Sequence, residues 1–420
     1  MDLVPLEEAK GEIRARCRPL PEVRVQTTQS LGCVLAEEVR ARLNVPRFDN
    51  SAMDGYALRV SGRLGVGDAF RTTGCILAGA GAEEVVADGE AVRIMTGAPV
   101  PPGANTVIPM ERVRVDGDRV EVLEPVALGA NVRKAGEDVR AGEPLAEVGE
   151  RVNSRLVALL MAAGVEEVVV RRPPVVGVVS GGDELAASSA DLRGPSQIVD
   201  SNRPLICALL TEAGFSTRDL GIVPDDESAM VRVLRRGAES CDAIVTTGGV
   251  SVGDRDLVPR VLAELGDAWS YRLAIKPGKP FAFGLVDGTP VFALAGNPVS
   301  ALVAFELIVL PMLGSMMGLA DPEPPRVVAV SEERLPGSED GRTHYVRCAV
   351  DVDGDGVLRV RPAGGQGSHQ LKPAAWGNVL AVVNRPEGVE AGEKVEVMPL
   401  TGAPWPQSGL RKGEGAPRPG

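Results

Sequence analysis

From Pro173 onward the chain alternates runs that are apolar from end to end with runs of helical period, and few folds accommodate that alternation. VVGVVS, beginning at Val175, lacks any polar–apolar alternation, as a strand covered on both faces requires. SNRPLICALLTEAG follows with Ser201 and Asn202 as cap, Pro204 in the first turn and Gly214 as stop, which predicts a helix. ESAMVRVLRRGAE reads as a second helix, CDAIVTTGG as a second buried strand and DLVPRVLAELG as a third helix. Strands are expected at SYRLAI, PFAFGLV and PVFALAG, and a long helix after Pro298. Together these predict a doubly wound α/β domain over residues 173–318.

The flanks have a different texture. Residues 1–44 open with an amphipathic helix that puts Leu6, Ala9, Ile13 and Cys17 on one face. Residues 45–128 form a β-rich unit, in which Val113 and Val115 alternate, Asp116-Gly117 turns, and Val120 and Val122 alternate back as a hairpin. SRLVALLMAAGV predicts a helix capped by Ser154 and stopped at Gly164. DPEPP, from Asp321, is a linker, and residues 319–400 return to strands as a C-terminal β domain. There DVDGDG mimics the start of a calcium-binding loop, but the twelfth position is Pro362 instead of Glu, so a hairpin is expected. The tail 401–420, rich in Gly, Pro and charge, is expected to be disordered. ALVAFELIVLPMLGSMMGLA carries Glu306 and Pro311, which favour a buried helix ending near Pro311 over a membrane span.

Charge and side-chain chemistry narrow the function. A net charge of −12 lacks the basic face that nucleic acid needs, so no nucleic-acid partner is expected. Six scattered cysteines and two histidines, His344 and His369, support neither a disulfide frame nor a zinc site. They fit reduced thiols in a cytoplasmic protein, and MDLVPLEEAKGEIRARC has no signal-peptide pattern. Catalysis would then rest on carboxylates, lysines, hydroxyls and backbone amides.

Unusual residues gather where strands of the α/β domain end, which is where open sheets bind ligands. Ser180-Gly181-Gly182 followed by Asp183-Glu184 would let backbone amides approach an anion while two acids suit Mg²⁺. Thr246 and Thr247 lead into Gly248-Gly249, then Ser251, Gly253, Asp254 and Asp256. Lys276 and Lys279 flank Pro277-Gly278, two ammonium groups suited to a phosphate or another oxyanion. Gly296-Asn297 precedes a helix begun by Pro298, whose free amides could hold an anion.

FDNSAMDGYA, from Phe48, places Asp49 and Asp54 around Asn50, Ser51 and Met53, and by itself reads as a turn. Taken with RIMTGAPVPPGANTVIPME, NVRKAGEDV, SGGDEL, QIVDSNRPLICALLTEAG, TTGGVSVGDRD, IKPGKPFAFG, LAGNPVSA and QGSHQL, in that order, it resembles the molybdopterin molybdenumtransferase family. That is the MoeA type, similar also to the gephyrin E domain. The resemblance spans about Leu6 to Leu400.

The resemblance implies Mg²⁺-dependent insertion of molybdate into adenylylated molybdopterin with release of AMP, in an elongated four-domain homodimer whose cleft lies at the dimer interface. Residues 1–44 would join 129–172 as one discontinuous domain. Transient contacts with the adenylyltransferase and with apo-molybdoenzymes, and no membrane, are implied as well. Carried over by motif, Asp54, Thr96, Asp138, Lys276 and Lys279 would act in catalysis, and Asp183, Glu184 and Asp256 would handle Mg²⁺ and nucleotide. Ser180, Gly182, Thr247, Gly248, Gly249, Ser251, Asn297, Pro298 and Ser368 would bind substrate. The chain departs from the family pattern at Gly181 (usually Thr), Asn105 (Asp), Ala295 (Pro) and Ser188-Ser189 (Gly). The rival readings are a non-catalytic pterin scaffold and a plain nucleotide phosphotransferase.

Overall fold

The strand–helix alternation folds into a six-stranded sheet with helices on both faces. The computed structural model describes residues 2–79, 81, 83, 85–250 and 257–406. Four strands run parallel in the order Ser216–Val223, Val175–Gly181, Ala243–Thr247, Thr289–Leu294. Pro280–Val286 and Ala268–Arg272 extend the sheet antiparallel. The strands are buried on both sides. Val178 and Val245 face a core with Phe283, Phe292 and Ile206, while Val179 and Ile244 face one with Met230, Leu234 and Val261. The chain leaves Val175–Gly181 for one neighbour and then crosses to the other, so the order reverses between Gly181 and Thr247.

Three expectations need correction. SYRLAI is not one strand: Ala268–Arg272 stays in this sheet, whereas Ile275–Lys276 pairs with Thr343–His344 of the C-terminal domain. The helix after Pro298 does not end near Pro311 but continues to Met316. A π-helical turn, Phe305–Val309, precedes Pro311 and takes up the missing N–H that would break a regular helix. That helix, Pro298–Met316, is long and apolar enough to cross a membrane, but 89% of it is buried inside the protein, as a core helix is. Finally, the cap of the helix Ser154–Ala162 is Asn153, whose side chain accepts from the N–H groups of Arg155 and Leu156.

Val23–Gln26 and Val34–Leu35 pair with Glu167–Arg171, joining the start of the chain to the segment beyond residue 129. The helix Leu6–Arg14 does not share that sheet. Its Ala9 and Ile13 enter the α/β core, and Lys10 is ion-paired to Glu323. Between these segments lies a six-stranded sheet in the order Thr106–Pro109, Gly55–Leu58, Glu90–Ile94, Ala69–Ile76, Arg119–Val122, Val113–Asp116. The C-terminal strands Thr343–Val352, Leu358–Pro362, Val327–Ser331, Lys394–Pro399 and Val379–Val383 close on themselves as a barrel. DVDGDG is its hairpin, held by the Asp353 carboxylate. Within the tail, residues 407–420 lie outside the described residues.

Candidate functional site

The turn that opens with Phe48 is built to expose one carboxylate. Gly55 lets the strand Gly55–Leu58 press on its neighbour, since a Cβ there would lie 1.9 Å from the Ile108 carbonyl oxygen. Just before it, Asp54 stands exposed and accepts from the Thr96 N–H and the Thr96 Oγ1 hydroxyl, both at 2.7 Å. The Thr96 amide, then its hydroxyl, hold the Asp54 carboxyl below the usual range, so it stays ionised at neutral pH. Asp49 ties the same turn to NVRKAGEDV, accepting from the Ala135 N–H at 2.8 Å and pairing with Lys134 at 2.7 Å. Asn50–Ser51 pairs with Val132–Arg133 as well. Three motifs far apart in sequence therefore meet here. Asp138 lies exposed on the third, its N–H bonded to the Val45 carbonyl.

A second cluster sits where the strand order reverses. Ser180 and Thr247 end adjacent parallel strands, and their hydroxyls lie 2.8 Å apart, fully buried. The side chains expected to bind substrate thus lie beneath the rim. Gly248 packs against Gly181 so closely that a Cβ would meet the Gly181 carbonyl oxygen at 2.4 Å, at a φ of +85°. The Gly182 and Gly248 amides donate to Val223 and Leu294, within the rim itself. These glycines therefore supply close approach, and not the free donors expected of them.

Above the rim opens a cleft of about 360 Å³ lined by Gly181, Gly182, Glu184, Asp225, Gly249 and Arg260, among others. Asp225 was missed from sequence, although in GIVPDDES a further strand, ending at Val223, is followed by two acids. Asp183 is exposed and its Oδ1 accepts from the Asp225 N–H at 3.1 Å. Ser251 and Asp256 lie outside the described residues, as do Gly253 and Asp254. Among the described residues no three acidic, His or Cys groups converge as a metal cage. Two carboxylates on one cleft do fit Mg²⁺, which takes one or two from the protein and completes its shell with phosphate oxygens and water.

Gly296, before the Pro298 helix, packs on this rim, where a Cβ on it would lie 3.7 Å from the Gly248 Cα, and the segments bearing Lys276, Lys279 and Ser368 meet the first turn of that helix. A Cβ on Gly278, between the lysines, would lie 3.5 Å from the Ser300 carbonyl oxygen in the first turn of the Pro298 helix. The Val299 N–H donates to the Ser368 carbonyl at 3.1 Å, so that helix amide is spent on the chain and is not free for an anion. Neither lysine has a carboxylate partner within ion-pair distance among the described residues. Arg347, wholly buried, shapes the Ser368 loop by donating to the carbonyls of Gly365 and Gly367. Next to Lys276 in register, His344 is buried; burial first, then the Lys276 charge, lowers its pKa. Among the described residues no hydrogen bond or ion pair joins the Asp54–Thr96 cluster to the α/β rim.

Residues 4–164 match the family profile of the MoeA N-terminal region (domain I and II), residues 177–315 that of a probable molybdopterin binding domain, and residues 332–400 that of the MoeA C-terminal region (domain IV). The chain is 36% identical over 370 residues to a molybdopterin molybdenumtransferase of Haemophilus influenzae, covering 87% of this chain and 91% of the relative. It is 36% identical over 404 residues to molybdopterin molybdenumtransferase 2 of Mycobacterium tuberculosis, covering 93% and 97%. The crystal structure of the molybdopterin biosynthesis MoeA protein from Pyrococcus horikoshii OT3 superposes with a TM-score of 0.77 at 28% identity, over 95% of this chain and all of that one.

Proposed function

The chain belongs to the molybdopterin molybdenumtransferase family and is a transferase of molybdenum cofactor biosynthesis, and we propose that it inserts molybdate into adenylylated molybdopterin with release of AMP. The observation that carries this reading is the cleft above the glycine rim, where Glu184, Asp225 and Arg260 offer both signs of charge at the point of strand reversal. A phosphoanhydride with its metal needs that mixture. Glu184 and Asp225 would hold Mg²⁺, with Asp183 and Asp256 close in sequence to the same turns. Bound there, Mg²⁺ would offset charge on the phosphate oxygens as the anhydride bond breaks.

The chain's own groups do the rest. Arg260 pairs with the phosphate, and Lys276 and Lys279, free of carboxylates among the described residues, attract molybdate beside it. Water adds across the anhydride and AMP leaves. The two dithiolene sulfurs bind molybdenum in place of one molybdate oxide, which departs as water with the two thiol protons. Asp54, kept ionised by Thr96, acts as a base near the dithiolene or the hydrolytic water. Among the described residues Asp54 is bonded to Thr96 and not to the rim of its own chain; in the homodimer that the family resemblance implies, the rim of a second copy would be its working partner. Six cysteines, all free, support a reducing cytoplasmic setting.

Reconstitution of an apo-molybdoenzyme tests the reading. Purified protein with adenylylated molybdopterin, molybdate and Mg²⁺ should yield a product that activates the apoenzyme. Failure of that product to activate it, from a folded protein, would overturn the proposal.

A further inference from the structure

The segment QIVDSN holds a buried carboxylate that no assigned role uses. Asp200 is 4% exposed, and its oxygens accept from four donors. The Ser180 hydroxyl donates at 3.1 Å, the Asn202 and Arg203 N–H groups at 3.1 and 3.2 Å, and Arg203 Nε at 3.0 Å. A carboxylate only accepts, so the one proton of Ser180 points at Asp200. The Ser180 oxygen then accepts from Thr247 across the 2.8 Å contact, and the direction of both hydroxyls is fixed.

The same segment grips the rim at two further points. The Ile198 N–H donates to the Glu184 carbonyl at 2.8 Å and the Asp200 N–H to the Ala186 carbonyl at 2.9 Å, so the ribbon that begins at Glu184 is registered against Asp200. Two residues on, the Asn202 side-chain amide donates to the Gly296 carbonyl at 2.8 Å. Strand ends at Ser180, Thr247 and Gly296 are thereby tied to one short stretch. Arg203, also paired with Asp219, balances the buried charge.

We infer that Asp200 is a positioning residue of the ligand site: through Ser180, Thr247 and Glu184 it holds the glycine turns and the acidic cleft at a fixed spacing without touching the ligand. The inference rests on the nucleotide reading of that cleft. A purely structural role would change stability and leave affinity alone; a positioning role changes affinity in a folded protein.

AMP in Mg²⁺ buffer, titrated into the full chain by calorimetry well below the melting point, separates the two. Asp200→Asn keeps the size and removes the charge, and should weaken AMP binding about tenfold. Ser180→Ala should do the same, and the double variant should be no worse than either single one. Ile206→Val, wholly buried in the helix Asn202–Glu212 that follows Asp200, should lower Tm and leave AMP binding within about twofold. Wild-type affinity in Asp200→Asn, or fully additive losses in the double variant, would overturn the inference while leaving the cleft as a nucleotide site. A wild-type protein that does not bind AMP would overturn both.

Discussion

Asp54 carries its charge at the molecular surface, where the two donors of Thr96 fix its direction as well as its ionisation. A general base in such a place is worth roughly a hundredfold in rate or more. Asp54→Asn should therefore lower turnover by about that factor while circular dichroism and Tm stay as in the wild type; undiminished turnover in a folded variant would remove Asp54 from the mechanism. Glu306 is the opposite case. It is 1% exposed and bonded to the Thr401 N–H and hydroxyl, yet burial raises its pKa to about 7. A folded value above the unfolded one means that its contribution is complete below about pH 4.5 and is lost as pH rises through about 7. Melting curves should show Tm falling between pH 5 and pH 8 in the wild type and a flatter profile in Glu306→Gln. A parallel fall in both would show that other groups set the dependence.

Among the elements, the strands of the α/β sheet were legible because burial on both faces leaves a continuous apolar run. Their glycine-rich ends were legible because the rule for open sheets says where to look. What escaped were partnerships formed in space. Asp200 reads as one more polar residue before a helix: three of its four donors are the local groups of Asn202 and Arg203, and the Ser180 hydroxyl, twenty residues earlier, joins them only in the fold. The cap at Asn153 instead of Ser154, and the π-turn that carries the helix past Pro311, depend on local backbone geometry that composition does not encode. Asn153→Ala should cost about 1 kcal/mol, read by urea denaturation, with Ser154→Ala costing less. Gly248→Ala is a harsher test. Its φ of +85° and the 2.4 Å approach to Gly181 leave no room for a Cβ, so the variant should melt several degrees lower and lose AMP binding. Normal binding by a stable Gly248→Ala protein would mean that the rim is not where the nucleotide sits.

At the scale of the whole molecule, the family order of motifs was readable from end to end, but the packing of the first helix was not. Leu6–Arg14 inserts Ala9 and Ile13 into the α/β core, bonds Tyr271 through Glu12 and pairs Lys10 with Glu323, so the start of the chain clamps the α/β sheet to the linker before the barrel. The barrel in turn holds Lys276 by strand pairing with His344 and the Pro298 helix by the Ser368 carbonyl. Chemistry expected of one reaction is thus divided between a rim shared by two domains and an Asp54 turn on a third. We propose that molybdate insertion and anhydride cleavage are one coupled event at that site. Release of AMP from adenylylated molybdopterin by the purified protein, followed with and without molybdate in Mg²⁺ buffer, tests this most directly. Stoichiometric AMP is expected only when molybdate is present; equal release without it would rule out the coupling.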